Sequence, residues 1–230
     1  MHVGIIPDGN RRYMRKKGIG SLAESYQSGI SRFYDLLQWC PKYGINEVTI
    51  YALSTENIKE RGDNEIKALF KVFSEHAKKA LTDQRIKEAK IRIKICGDID
   101  YLTQKSNEIT GNTELIENLR ALEKHTEKND GLRLNMALAY GGRQEIVFAA
   151  SKLAQKGLPI TEENIQSNLW VKDNADFIIR TSEKRISNFL LWQSAYSEIY
   201  FIDKLWQEIT EDDLAKVVSE FKQSDRRFGR

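Results

Sequence analysis

Residues 3–12 read VGIIPDGNRR, and this segment sets a pattern that recurs along the chain. The apolar run at 3–6 is short and continuous, which favours a strand buried on both faces. Pro7 ends the run, and Asp8-Gly9-Asn10 follows as a polar turn. A buried strand that ends at a polar turn is typical of a parallel sheet with helices on both faces.

The same pattern continues to the end of the chain. Further strands are predicted at residues 48–53, 91–95, 132–138, 177–179 and 199–202. Helical spacing of apolar side chains predicts helices over 30–40, 66–77, 146–153 and 210–221. This alternation predicts one α/β domain over residues 1–230, with a mainly parallel central sheet flanked by helices. Ligands of such sheets lie beyond the carboxyl ends of the strands, so the polar segments after the first five strands are expected to converge on one rim.

The charge balance bears on the class of ligand. The chain has 36 Lys and Arg against 33 Asp and Glu, a formal net charge of +3. This balance does not favour a nucleic-acid partner. Several basic clusters stand beside Gly, Ser or Asn, which favours small polyanions such as diphosphates.

Location is predicted from what the chain lacks. No apolar run reaches the ~18 residues that span a bilayer, and the first residues do not resemble a secretory signal. The two cysteines, Cys40 and Cys96, lie in apolar surroundings without a CxxC pattern. These observations favour a cytoplasmic protein with core thiols over a disulfide or a metal site.

Two segments carry candidate ligand-binding groups. A carboxylate at a strand end beside glycine, as at Asp8-Gly9, suits a phosphate-bound Mg²⁺, but the same residues suit an ordinary β-turn. Residues 180–188, RTSEKRISN, offer forked arginines to a diphosphate and a helix N-terminus at Ser187, or they form a solvated loop. Glu198 is either a second metal ligand or a strand residue that faces solvent. An aromatic stripe either lines a hydrocarbon tunnel or belongs to the core; it comprises Phe33, Tyr34, Leu37, Phe70 and Phe73.

Several common signatures are absent from the sequence. There is no Walker P-loop and no GxGxxG that opens a helix, which disfavours nucleotide binding. The GxSxG elbow of hydrolases is missing, and so is the DDxxD box of helical prenyltransferases. The three histidines are scattered, so no triad or zinc site is predicted.

Taken together, several segments resemble the undecaprenyl diphosphate synthase, or cis-prenyltransferase, family over nearly the whole chain. They are residues 6–12 (IPDGNRR), 48–57 (VTIYALSTEN), 139–143 (AYGGR), 185–193 (RISNFLLWQ), 195–201 (AYSEIYF) and 226–229 (RRFG). The resemblance implies a homodimeric fold with a hydrophobic tunnel, and a lipid product that brings peripheral contact with a membrane. It also implies the condensation of an allylic prenyl diphosphate with isopentenyl diphosphate, with Mg²⁺ as cofactor.

The same resemblance implies roles for particular residues. Asp8 and Glu198 would bind Mg²⁺, and Asn57 would lie beside the reacting carbons and assist proton removal. The implied substrate-binding residues are Gly9, Asn10, Arg11, Arg12, Ser54, Glu56, Arg61, Arg180, Arg185, Ser187, Gly229 and Arg230. The last two would reach the diphosphate site of the partner subunit.

The chain departs from the family pattern at both substrate loops. Residues 20–29, GSLAESYQSG, lack the arginine and histidine that usually follow the first motif, and include one extra residue. The loop at 180–185 is one residue shorter than usual and lacks its glycine. These departures predict a short or atypical product. Two alternatives are the non-head-to-tail coupling of allylic diphosphates and a non-catalytic subunit of a heteromeric enzyme.

Overall fold

The computed structural model describes residues 1–224, which build one six-stranded sheet covered by helices. The strands are β1 (His2–Ile6), β2 (Glu47–Ser54), β3 (Arg92–Cys96), β4 (Arg133–Tyr140), β5 (Phe177–Thr181) and β6 (Glu198–Ile202). Their order across the sheet is β3-β4-β2-β1-β5-β6, and every strand pair in it is parallel. The predicted α/β class is therefore confirmed, and the described sheet is parallel throughout.

The structure describes ten α-helices within residues 1–224, and those at 22–39, 63–80, 142–155 and 211–223 overlap the four predicted from apolar spacing. The ten are α1 (Asn10–Lys17), α2 (Leu22–Trp39), α3 (Thr55–Glu60), α4 (Asp63–Ala80), α5 (Gln84–Glu88), α6 (Ile99–Thr110), α7 (Glu114–Thr126), α8 (Gly142–Gln155), α9 (Glu162–Asn168) and α10 (Glu211–Gln223). Side chains cap several of them; the Ser21 hydroxyl, for example, accepts the Glu24 N–H at the start of α2. No helix within residues 1–224 has the length and apolar character needed to cross a membrane.

The core lies on both faces of the sheet. Val3 and Ile5 of β1 are essentially inaccessible and belong to the same cluster as Leu36 of α2 and Phe70 of α4. Cys40 and Cys96 are both free and fully buried, so the prediction of core thiols is confirmed. Burial raises the pKa of each thiol to about 12, which keeps both neutral and unreactive.

Candidate active site

Two cavities adjoin at the carboxyl end of the sheet. One is polar, about 630 Å³ in volume, and lies beyond β1, β2 and β5. The other is apolar, about 170 Å³ in volume, and lies between α2, α4 and the sheet. The residues that line both are Pro7, Asn10, Tyr26, Tyr51, Asn57 and Arg61. A ligand with an anionic head and a hydrocarbon tail would therefore find complementary surroundings for each part.

Most of the residues singled out in the sequence come together in the polar cavity. Its lining includes Asp8, Gly9, Asn10, Arg11, Arg12, Ser54, Glu56, Asn57, Arg61, Arg180, Arg185 and Ser187. Gly229 and Arg230 lie outside the described residues. The roles assigned to these side chains stay predictions, but their shared position makes a common ligand geometrically reasonable.

Asp8 is the acidic centre of the polar cavity. Its Oδ2 lies 2.8 Å from Nη2 of Arg180, and its Oδ1 lies 3.6 Å from Nη2 of Arg12. The backbone N–H of Gly9 also donates to Oδ1, at 2.6 Å. About a third of the carboxylate side chain remains exposed, at 32%. The group is thus held in place while one face stays open to a ligand.

Arg180 is the buried cation of the same cavity, with a side chain only 4% exposed. Besides the Asp8 contact, its Nη1 donates to the Ser187 hydroxyl at 2.7 Å and to the carbonyl of Arg185. Its Nε is buried and has no hydrogen-bond partner within residues 1–224. A buried donor left unpaired is costly unless a ligand accepts from it.

The loop after Arg185 differs from its prediction. No helix begins at Ser187; instead Ser187, Asn188 and Leu190 adopt positive φ angles of 48°, 61° and 46°. The Asn188 side chain holds the turn, because its Oδ1 accepts the N–H of Arg143 at 2.9 Å. Non-glycine residues in this region carry strain, which local contacts must offset. The anion-binding helix N-terminus expected there is therefore wrong.

Sequence reasoning assigned no role to three polar side chains that line the polar cavity, Tyr26, Tyr51 and Asn188. Asn188 donates through Nδ2 to Glu56 at 2.8 Å and so links the two halves of the site. Its position beside Ser187, in the family-like segment 185–193, could have identified it. Tyr26 gave none, because it occupies an ordinary position on the amphipathic helix α2.

Gly9 must be glycine for two separate reasons. Its φ is +108°, and a Cβ there would lie 2.8 Å from both Leu205 Cδ2 and Ser182 Oγ. We expect Gly9→Ala to displace Asp8 and to destabilise the fold by about 1–3 kcal/mol, as measured by chemical denaturation. Gly18→Ala adds the strain of positive φ without a contact, and Gly20→Ala adds neither. A loss of stability in Gly9→Ala no larger than that in Gly18→Ala would contradict the predicted clash of the added Cβ with Leu205 and Ser182.

Glu198 lies at the amino end of the parallel strands, whereas Asp8 lies at their carboxyl end. It opens β6 and pairs with Phe177, which in turn pairs with Val3 near the amino end of β1. Asp8 instead follows the carboxyl end of that strand. Glu198 accepts hydrogen bonds from Tyr200 and Ser224. The two carboxylates therefore do not meet within a single chain, and the Mg²⁺ site that the resemblance implies from both of them stays a prediction.

The predicted convergence of five strand ends is also only partly correct. The strand order places β3 at the sheet edge, three positions from β1. The residues after β3 accordingly do not line the polar cavity; Asp98 caps α6 by accepting the N–H of Tyr101. The cavity is built on the three neighbouring strands β2, β1 and β5.

The aromatic stripe divides between two environments. Phe33, Tyr34, Leu37 and Phe73 line the apolar cavity, whereas Phe70 does not and packs in the core. The far end of the cavity is closed by residues at the amino ends of β3 and β4 and on the helices beside them. These residues are Ala80, Ile86, Ile93, Leu122 and Leu134. The apolar cavity therefore runs from the polar cavity towards the amino ends of the strands.

The chemistry of the donor set bears on metal binding. Within residues 1–224, no group of three or more His, Cys, Asp or Glu is arranged to hold a metal ion alone. Mg²⁺ usually takes only one or two protein carboxylates and fills its other positions with phosphate oxygens and water. Asp8, partly exposed in a cavity rich in arginine, fits that kind of shared site.

Comparison with known proteins gives the family of the chain. A family model described as "Putative undecaprenyl diphosphate synthase" matches residues 6–229. The fold and the family are thus those of a prenyltransferase, an enzyme that transfers prenyl groups. The chain belongs to the undecaprenyl diphosphate synthase family.

Individual relatives match over almost the full chain. A tritrans,polycis-undecaprenyl-diphosphate synthase (geranylgeranyl-diphosphate specific) of Picrophilus torridus is 41% identical, over 99% of this chain and 89% of the relative. An isoprenyl transferase of Thermus thermophilus is 38% identical, over 100% of this chain and 88% of the relative.

Solved structures agree with the sequence relatives. A probable undecaprenyl diphosphate synthase of Campylobacter jejuni superposes with a TM-score of 0.82 at 30% identity, over 100% of this chain and 98% of that one. Lavandulyl diphosphate synthase of Lavandula x intermedia, in complex with dimethylallyl diphosphate, gives 0.85 at 29% identity with the same coverage.

Proposed function

We propose that residues 1–230 form one cis-prenyltransferase domain that condenses an allylic prenyl diphosphate with isopentenyl diphosphate and releases diphosphate. The observation that carries this proposal is the direct junction of a polar cavity, lined by arginines and Asp8, with an apolar cavity. The alternatives of non-head-to-tail coupling and a non-catalytic subunit are not favoured, since the two sequence relatives described above are named as a synthase and a transferase.

The polar cavity supplies the electrostatic part of the reaction. Cleavage of the allylic carbon–oxygen bond places negative charge on the leaving diphosphate. Arg12, Arg180 and Arg185 supply fixed positive charge around it, and such donors act most strongly as charge develops. Asp8 is the residue that would hold Mg²⁺. The ion, when bound, would neutralise charge on the diphosphate oxygens.

The apolar cavity supplies the hydrocarbon part. Its wall of aromatic and aliphatic side chains excludes water from the reacting allylic group, which protects a cationic centre from hydrolysis. Its volume of about 170 Å³ is close to that of an engineered cavity of ~150 Å³ that holds benzene. A longer hydrocarbon chain therefore requires α2 and α4 to move apart, or the side chains that close the far end of the cavity to move.

The preferred donor and product length form the finest part of the proposal. The altered segments predict a short or atypical product, but only Tyr26 and Gly29 of residues 20–29 line the apolar cavity, and Arg180 and Arg185 line the polar one. The name of the relative from Picrophilus torridus specifies geranylgeranyl diphosphate and undecaprenyl diphosphate. We propose the same donor and a long polyprenyl product for this chain.

Two further properties belong to the proposal. A homodimer is supported by exposed apolar side chains on the edge strand β6, where Ile199 and Phe201 are 39% and 41% accessible. Peripheral contact with a membrane from the cytoplasm would let the lipid product leave. Light scattering of the purified protein tests the first property, with a dimer mass expected and a monomer mass contradicting it.

An assay with defined substrates tests the proposed reaction. The purified chain is incubated with isotopically labelled isopentenyl diphosphate, Mg²⁺ and one donor at a time: dimethylallyl, geranyl, farnesyl or geranylgeranyl diphosphate. We expect labelled polyprenyl diphosphate, the most with geranylgeranyl diphosphate, and none after chelation by EDTA. No labelled product with any donor would overturn the function, and mainly short products would overturn the proposed length.

Variants at the far end of the apolar cavity test its role in product length. Leu122→Ala enlarges the cavity and is expected to lengthen the products, whereas Ala80→Leu fills it and is expected to shorten them. Leu122→Ala is also expected to cost ~2–5 kcal/mol of stability. Leu115→Ala, on the same helix, removes a buried side chain that does not line the cavity. Chromatography of products should show no change for this control; equal product profiles for all four proteins would contradict the role.

A further inference from the structure

A cluster of four side chains lies at the junction between the two cavities. Tyr26, Asn57 and Arg61 line both cavities, whereas Glu65, in the first turn of α4, lines neither. Glu65 is 18% exposed in its side chain and contacts Arg11, Tyr26 and Arg61.

Glu65 binds three neighbours at once. Its Oε1 lies 3.0 Å from Nη1 of Arg61 and accepts the Tyr26 hydroxyl at 3.1 Å. Its Oε2 lies 2.6 Å from Nη2 of Arg11. Arg61 also donates to the Tyr26 oxygen at 2.9 Å, so the Tyr26 hydroxyl both donates and accepts within this cluster. Burial raises the pKa of Tyr26 to about 12, which keeps it protonated.

The other end of Arg61 fixes the carboxamide of Asn57. Nη2 of Arg61 donates to Oδ1 of Asn57 at 2.9 Å. An arginine side chain has donors only, so the oxygen of the carboxamide has to face it. The backbone is fixed as well, because the Ser54 hydroxyl accepts the Asn57 N–H at 2.9 Å. The amide NH₂ of Asn57 has no hydrogen-bond partner within residues 1–224 and is the part left for a ligand.

We propose that Glu65 and Arg61 are positioning residues that orient Asn57 as a hydrogen-bond donor to a diphosphate oxygen. This inference rests on the proposed function and changes one role within it. An amide NH₂ that faces the substrate donates and does not take up a proton. Asn57 therefore stabilises charge on the diphosphate, and the assistance to proton removal implied by the family resemblance is not its role.

Asn57→Asp separates the two roles sharply. Aspartate keeps an acceptor for Arg61 and is a stronger base than asparagine, but it has no donor. We expect a loss of about 100-fold or more in kcat, which is typical for removing a transition-state donor, with an unchanged or raised midpoint of thermal unfolding. Activity of Asn57→Asp at or above that of the parent would overturn the donor role.

Glu65→Gln tests the positioning step. The amide keeps one acceptor but loses the charge that holds Arg61 and Arg11 together. We expect kcat to fall by about 10- to 100-fold with little change in KM for the allylic diphosphate, since misplacement affects mainly the reacting geometry. Glu60→Gln is the matched control, because Glu60 is exposed at the end of α3. Equal kinetics for both variants would overturn the role of Glu65.

A binding readout keeps this inference separate from the proposed reaction. Inorganic pyrophosphate should raise the thermal midpoint of the parent and of Glu60→Gln, and raise that of Asn57→Asp much less. If the parent is inactive but this pattern holds, the reaction fails and the donor role stands. If the parent is active and pyrophosphate stabilises Asn57→Asp as well as the parent, the donor role fails and the reaction stands.

Discussion

Replacing Asp8 by asparagine is expected to reduce kcat/KM by about 100-fold or more, because the variant removes the carboxylate that we propose holds Mg²⁺ beside the diphosphate. The folded state should survive, since the asparagine oxygen still accepts from Arg180, whose Nη2 lies 2.8 Å away. Steady-state kinetics and thermal unfolding of the same preparation measure both effects. Asp35→Asn makes the same chemical change in a surface ion pair with Arg32 and should change neither.

Asp8→Ala is a different experiment. From the sequence alone, a rim carboxylate is expected to contribute little to the core, so this variant would lose turnover and stay folded. The structure adds that Arg180 is 4% exposed and would lose its acidic partner. Removing one member of a buried pair costs ~3–5 kcal/mol, and less here because Asp8 is itself partly solvated. Near-parental activity of Asp8→Asn would contradict the role of the carboxylate.

Arg180→Lys is expected to lower kcat/KM by about 100- to 1000-fold. One ammonium group cannot reach Asp8, the Ser187 hydroxyl and the Arg185 carbonyl at once, as the guanidinium does. The substitution also removes the buried Nε, which has no hydrogen-bond partner within residues 1–224. Initial rates over a range of both substrates measure the effect, and we expect a higher KM for isopentenyl diphosphate.

Arg92→Lys is the control for that substitution. Arg92 is exposed and begins β3 at the amino edge, far from the polar cavity. It should leave both kinetic constants unchanged. An Arg180→Lys enzyme with parental constants would contradict a role for the buried guanidinium in diphosphate binding.

The fold was predictable because its signal is local and periodic. The apolar run at 3–6 and the helical spacing at 66–77 each specify one element, and their alternation specifies a parallel sheet. Strand order was not predictable, because it depends on contacts between distant segments. That is why the polar segment after β3, which includes Asp98, was expected at the rim, whereas the strand order places β3 away from it.

The site was predictable where function requires particular residue types in one segment. Asp8, Arg180 and Asn57 stood out for this reason, and the structure brings them into one cavity. Glu65 gave no signal, since an acidic residue in the first turn of a helix is ordinary. Glu198 was expected beside Asp8, but its place in a family segment does not specify which end of the strands it occupies, and within one chain the two residues lie at opposite ends.

A crystal structure with a non-hydrolysable allylic thiolodiphosphate would show directly whether one ligand occupies both cavities. We expect its diphosphate beside Asp8 and Arg180, with Asn57 donating to one of its oxygens. The hydrocarbon should pass Tyr26 into the space between α2 and α4. A diphosphate bound elsewhere, or a chain that stays outside that space, would contradict the proposed function.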